Sequence, residues 1–242
     1  MIIIRKIVEM SERQQNIHGE KEPVQSQPWS SAAVAPMSSP SSSQGLDFLS
    51  QASHLMVKLR PKFLTGLRPI IYDIKNSMGQ QEYTVTEDYN CLNQYFCSQG
   101  NTFIRSFTRR ISDNTGCLVM EVHKPFEWLL CNYCGNTKTE VKTPSGEPMA
   151  YIVNPFSPCI LKFKILNENH DEVLKIAATS CCGFTVRHFK ITSIKEQTEV
   201  GWISMSTALS IFTQVLHFNV HFSPDLDVKM KAAIMAICLL FF

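Results

Sequence analysis

Asp225-Leu-Asp-Val-Lys-Met-Lys-Ala-Ala-Ile-Met-Ala-Ile-Cys-Leu-Leu-Phe-Phe242 closes the chain, and its reading decides the fold. Pro224 stands just before it. Asp225 and Asp227 fall where the positive end of a helix dipole favours carboxylates, so the stretch predicts a helix over 225–242. From Ala232 to Phe242 there is neither a charge nor a polar face. A helix apolar on every side is buried, in a protein core or in a bilayer. The apolar run is 11 residues, about 16 Å at helical rise, whereas a bilayer span takes about 20 residues. It therefore reads as a core helix, with a partly inserted membrane segment as the alternative. Ile234, Ile237 and Leu240 are its contact residues in either case. Lys229 and Lys231 flank it and read as a solvated barrel rim, with stems long enough to snorkel toward phosphate head groups as the alternative.

Upstream the pattern is period two. Ile70, Tyr72 and Ile74 alternate with Ile71, Asp73 and Lys75, and the turn Asn76-Ser-Met-Gly79 leads to a return strand through Tyr83 and Val85. The design recurs around Asp113-Asn-Thr-Gly116, Thr143-Pro-Ser-Gly146, Asn167-Glu-Asn-His-Asp171 and Ser193-Ile-Lys-Glu-Gln197, which makes five consecutive hairpins. Ser204–Gln214 predicts a short amphipathic helix through Leu209, Ile211, Phe212 and Val215. Phe218, Val220 and Phe222 then alternate as a last strand. Strands in this series, with no helical pattern between the hairpins, predict an antiparallel meander that must close to hide its edges. The terminal helix is the element able to fill the lumen of the resulting barrel.

Composition sets the frame. Residues 1–44 are rich in Ser, Pro, Gln and Ala and read as a disordered tail, and the prolines at 23, 28, 36 and 40 never form a PxxP ligand. Residues 45–242 read as one domain. The net charge of +2 gives no indication of nucleic-acid binding. Nine cysteines, an odd number without a secretory leader, point to free thiols in a reducing compartment. No GxSxG, glycine-rich phosphate loop or HExxH is present, so an enzyme reading has no residue to start from.

Gly45-Leu-Asp-Phe-Leu-Ser-Gln51, Tyr72-Asp-Ile-Lys-Asn-Ser-Met-Gly-Gln80, Ile111-Ser-Asp-Asn-Thr-Gly116, Lys162-Phe-Lys-Ile-Leu-Asn167, Val173-Leu-Lys-Ile176 and Asp225-Leu-Asp-Val-Lys-Met-Lys-Ala232 together resemble the phospholipid scramblases, in family order, over residues 45–242. The resemblance implies a mainly β, tubby-like closed antiparallel barrel of about twelve strands around the C-terminal hydrophobic helix. It implies calcium-stimulated, ATP-independent, bidirectional movement of phospholipids between leaflets. It also implies attachment to the cytoplasmic face of a membrane through palmitoylated cysteines, and in some members a nuclear role. Members continue several residues beyond the position of Phe242, so the chain reads as a divergent or truncated one. A non-transporting module that binds lipid or partner proteins is the competing function.

Each implied site is reduced here. The calcium segment maps onto Gln214, Leu216, His217 and Asn219, with Asp225 surviving and Asp227 nearby; Leu216 offers no ligand, and Gln214 and Asn219 are neutral. His217 and His221, four residues apart on one strand face, permit transition-metal binding or are plain surface histidines. Cys131 and Cys134 stand where the family has a dense acylation cluster, next to Trp128-Leu-Leu130. Zinc would need a second ligand pair, and Cys181-Cys182 is adjacent rather than spaced. Arg105, Arg109 and Arg110 read as a solvated basic rim. Gly201-Trp-Ile-Ser-Met-Ser206 replaces a segment that carries an import lysine in some members, so nuclear entry by that route is not expected.

Overall fold

The computed structural model describes residues 45–60, 71–88, 106–125, 138–155, 157, 160–180, 186–210 and 213–241. The tail expected over residues 1–44 lies outside them. A short helix α1 (Asp47–Gln51) precedes twelve strands: β1 (His54–Leu59), β2 (Ile71–Lys75), β3 (Gln81–Glu87), β4 (Phe107–Asp113), β5 (Leu118–Lys124), β6 (Lys138–Lys142), β7 (Pro148–Val153), β8 (Lys162–Leu166), β9 (Glu172–Ala178), β10 (Val186–Ser193), β11 (Glu199–Ser210) and β12 (Thr213–Phe222). Helix α2 (Val228–Leu239) ends the chain. Every strand pairs antiparallel with its sequence neighbours, and β1 pairs with β12, so the sheet is a closed barrel. Closure leaves no edge strand to be covered.

The hairpins form where the turn residues place them. In the β4–β5 turn Asp113 N–H donates to Cys117 O at 3.0 Å and Gly116 N–H to Asp113 O at 3.1 Å. Gly116 takes φ 85°, a left-handed conformation that costs a side-chain-bearing residue about 1–2 kcal/mol. Asp113 Oδ1 accepts from Thr115 and Cys117 N–H, both at 2.9 Å. The β2–β3, β6–β7 and β8–β9 turns repeat the two backbone bonds, and a register shift follows in each ladder. This is the three-residue hairpin with a bulge, whose twist suits neighbouring strands. In the β8–β9 turn His170 holds the left-handed position, at φ 67°.

The period-two pattern points Val57, Ile74, Val85, Ile111, Val122 and Val141 inward, all wholly buried. Helix α2 occupies the lumen against β6, β7, β8 and β12, and Met230 through Leu240 are buried whichever way they face. Phe241 finishes the core beside Phe163, Phe189 and Phe218, at 5.8, 5.6 and 5.3 Å between ring centroids. The uniform apolarity of 232–242 thus reflects a helix surrounded by sheet.

Two expectations are corrected. Ser204–Gln214 is not a helix: β11 runs through Ser210, β12 begins at Thr213, and Ser210 pairs with Thr213. As strand the segment is paired: Ser204, Met205 and Ser206 register with His188, Arg187 and Val186 of β10, and Ser204–Ser210 with Thr213–Asn219 of β12, ladder partners that a helix would remove. The start of the domain is also not all period two. Leu46 and Leu49, three apart, turn one face of α1 into the core, and α1 is too short for that spacing to repeat.

Candidate functional site

The junction between β12 and α2 is built first by a cap. Asp227 precedes the first helical residue, and its Oδ1 accepts from Lys229 N–H at 2.9 Å and Met230 N–H at 3.3 Å. Two of the four N–H groups that a helix start leaves unpaired are satisfied this way. Lys229 points outward to Glu168 in the β8–β9 turn, at 2.9 Å, an exposed ion pair. Asp225 is exposed in the turn before the cap.

Lys231, one turn into the helix, is wholly buried. Its ammonium donates to the carbonyls of Ser50, Ala52 and Pro224, each at 3.0 Å, and lies 5.5 Å from the centre of the Phe222 ring. An ammonium has three protons, so all are used. Burial pushes its pKa below the ordinary lysine value, and the Asp225 charge works against that. Both readings of Lys231, a snorkelling cation and a solvated rim residue, are therefore corrected: carbonyls at the end of α1 and just before α2 take up its ammonium inside the protein. Ile234, Ile237 and Leu240 line the core side of this arrangement, and the core placement of the helix, not the inserted one, is what the chain adopts. Cys238 is buried among them, and burial drives its thiol pKa far up, which leaves it inert.

The expected calcium ligands are strung along this region without converging. Gln214 and Asn219 are five residues apart on β12, about 17 Å along a strand. Leu216 faces the core, while Asn219 and His217 alternate with it toward the outside. Asp227 Oδ1 is engaged in the helix cap. Among the described residues no group of three or more His, Cys, Asp and Glu could hold a metal ion. Calcium takes six to eight oxygens at about 2.3–2.6 Å, more than the exposed Asp225 and Asp227, with one oxygen already in the cap, provide.

At the opposite end of the barrel lies a site the composition of the chain hid. Arg109 is not on a solvated rim but wholly buried. Its guanidinium meets Glu87 Oε2 from Nε at 2.9 Å and from the terminal nitrogen at 2.8 Å. It also lies 4.1 Å from the Phe107 ring centre and 5.1 Å from that of Tyr72. Its neighbour Arg110 faces out to Asp88 and Glu121, at 2.7 and 3.0 Å. The signal was parity: Phe107 and Ile111 point inward on β4, so Arg109 between them must follow. Lys124, on the neighbouring β5 opposite Phe107, is also buried at this end. The connection from β5 to β6 leaves from here; Cys131 and Cys134 belong to it and lie outside the described residues, as do Arg105 and the Cys181-Cys182 pair.

The outer face of the closing seam carries a row of rings. His54 on β1 pairs across the ladder with His221 on β12, which pairs with Trp202 on β11. Ring centroids are 5.1 Å apart in both contacts. Trp202 and Met78 are the exposed large hydrophobic residues among those described.

A family model described as Scramblase matches residues 31–241. The chain belongs to the scramblase family. Human phospholipid scramblase 1 is 35% identical over 225 residues, covering 88% of this chain and 68% of its own. Human phospholipid scramblase 2 is 34% identical over 236 residues, covering 93% of this chain and 76% of its own. Human phospholipid scramblase family member 5 is 35% identical over 210 residues, covering 81% and 75%. No solved structure matches the chain. In this scramblase-family chain the barrel is closed around its central helix, and the segment before that helix is a strand with a buried leucine followed by a helix cap.

Proposed function

We propose that this chain acts as a phospholipid scramblase-like protein, moving phospholipids between leaflets without ATP. The observation that carries the reading is similarity over the whole barrel and helix to proteins named phospholipid scramblases. No helix among the described residues is long and apolar enough to cross a membrane. The lumen is filled by α2, so a lipid head group has no course through it and travels along the outer surface. The protein sits on the cytoplasmic face of a membrane, held by acylation of Cys131 and Cys134; two chains are what stable anchoring takes. Calcium dependence is weak, because Gln214, Asn219, Asp225 and Asp227 supply few charges from separated places.

A second reading has its own support: α2 is enclosed by sheet, and a module that binds lipid or protein without transport would need no more. Reconstitution into liposomes separates the two. Fluorescent lipid in both leaflets is quenched from outside, with and without calcium. Transport predicts that quenching proceeds past the outer-leaflet half with protein and not without it. A plateau at that half, with protein bound to the vesicles, rejects transport and leaves the binding module.

A further inference from the structure

His54 and His221 stand directly opposite one another on the two strands that close the barrel. Both side chains belong to the outer face, since Leu55, Val57, Val220 and Phe222 beside them point inward. Their ring centroids are 5.1 Å apart and the planes are inclined by 50°. Two imidazoles that share one tetrahedral metal ion, each nitrogen about 2.0–2.1 Å from it, put their ring centres about 5 Å apart. His54 Nδ1 is shut off from solvent and makes no hydrogen bond. A buried polar atom without a partner is uncommon and asks for an explanation.

We propose that His54 and His221 form a two-histidine site for a borderline transition-metal ion, clipping the first strand of the barrel to the last. Two imidazoles and no carboxylate suit copper(II), nickel(II) or zinc, and not calcium or magnesium, which require oxygen. Water fills the remaining positions. The sequence paired His221 with His217, but those two are separated along one strand, whereas the barrel brings in His54 from 167 positions away. Trp202 stacks on His221 at an interplanar angle of 26° and gives the site an optical reporter.

The test uses the full chain, freed of metal, with zinc or copper(II) alone as the probe. Thermal melting follows zinc, which must raise Tm because it binds a site that only the closed barrel assembles. Tryptophan emission follows copper(II). Each is repeated on His54→Gln, on the exposed His221→Gln, and on a Trp202→Phe control. The proposal expects saturable quenching and a zinc-dependent rise in Tm in the wild type. Each glutamine variant alone should lose both, and Trp202→Phe should lose the quenching but keep the rise in Tm. His221→Gln remains decisive if His54→Gln melts low without metal, because His221 is exposed. Equal quenching and an equal Tm rise in wild type and His221→Gln would assign the metal to cysteine thiols and overturn the site.

Discussion

Replacing Lys231 by Met keeps the aliphatic stem and removes the ammonium. Three carbonyls then lose their donor: Ala52 O, whose bond is fully buried, and Ser50 O and Pro224 O, whose bonds are partly so. A buried acceptor left alone costs about 1–3 kcal/mol. Ala52 O bears that in full, while water reaches the other two in part. Met also relieves the cost of burying a charge, which offsets some of the loss. The net expectation is a destabilisation of about 2–5 kcal/mol, a large share of the 5–15 kcal/mol typical of a domain. Buried ion pairs are often replaced by apolar residues without loss, because both partners leave together. Here the partners are backbone, and no substitution removes them. At about 2–4 °C per kcal/mol for a domain of this size, Tm should fall by about 4–20 °C. Lys229→Met is the comparison: it breaks an exposed pair worth about 0–1 kcal/mol and should leave Tm nearly unchanged. The assay is urea and thermal unfolding followed by circular dichroism. If Lys231→Met melts together with Lys229→Met, the three-carbonyl latch contributes nothing and the reasoning fails.

At the other end of the barrel, Arg109→Met should cost up to about 3–5 kcal/mol by removing one partner of the buried pair with Glu87, and adding Glu87→Gln should recover part of it; equal urea midpoints for single and double variants would contradict this. His54 and His217 both have pKa values lowered below 6.5, first by burial and then by His221 and Lys58 respectively. The folded state therefore binds fewer protons than the unfolded one as pH falls from about 6.5 toward the folded pKa values, and stability is lost across that window. A His54→Gln, His217→Gln double variant should show a flatter pH–Tm curve there, and an unchanged slope would count against it. Cys131→Ser with Cys134→Ser should move the protein from the membrane fraction toward the soluble one; an unchanged distribution, with no thioester-linked acyl label on the wild type, would remove these residues as anchors.

Most of the barrel was legible because its information is local. A hairpin such as Ile111 to Met120 carries its alternation and its turn residues within a dozen positions, and the structure pairs those two residues directly. What was not legible depends on closure. Ser204–Gln214 is apolar enough for either period, and its pairing with β10 on one side and β12 on the other settles it as strand. Lys231 looked like a flanking cation because its acceptors, at Ser50 and Ala52, come from the far end of the domain sequence. Arg109 and Arg110 look alike as surface charge in the sequence, although strand parity separates them. The His54–His221 contact could not be read at all, since nothing local joins β1 to β12. Cys131 and Cys134 lie outside the described residues.

The central claim is that α2 is the core of the barrel. A chain ending at Pro224 tests it most directly, since it keeps all twelve strands and lacks Met230 through Leu240, which are buried throughout. Circular dichroism and thermal melting of that chain should show no cooperative transition and an aggregating product, because the inward residues would face an empty lumen. A cooperative, β-rich melt close to that of the full chain would contradict the account and return the helix to the bilayer.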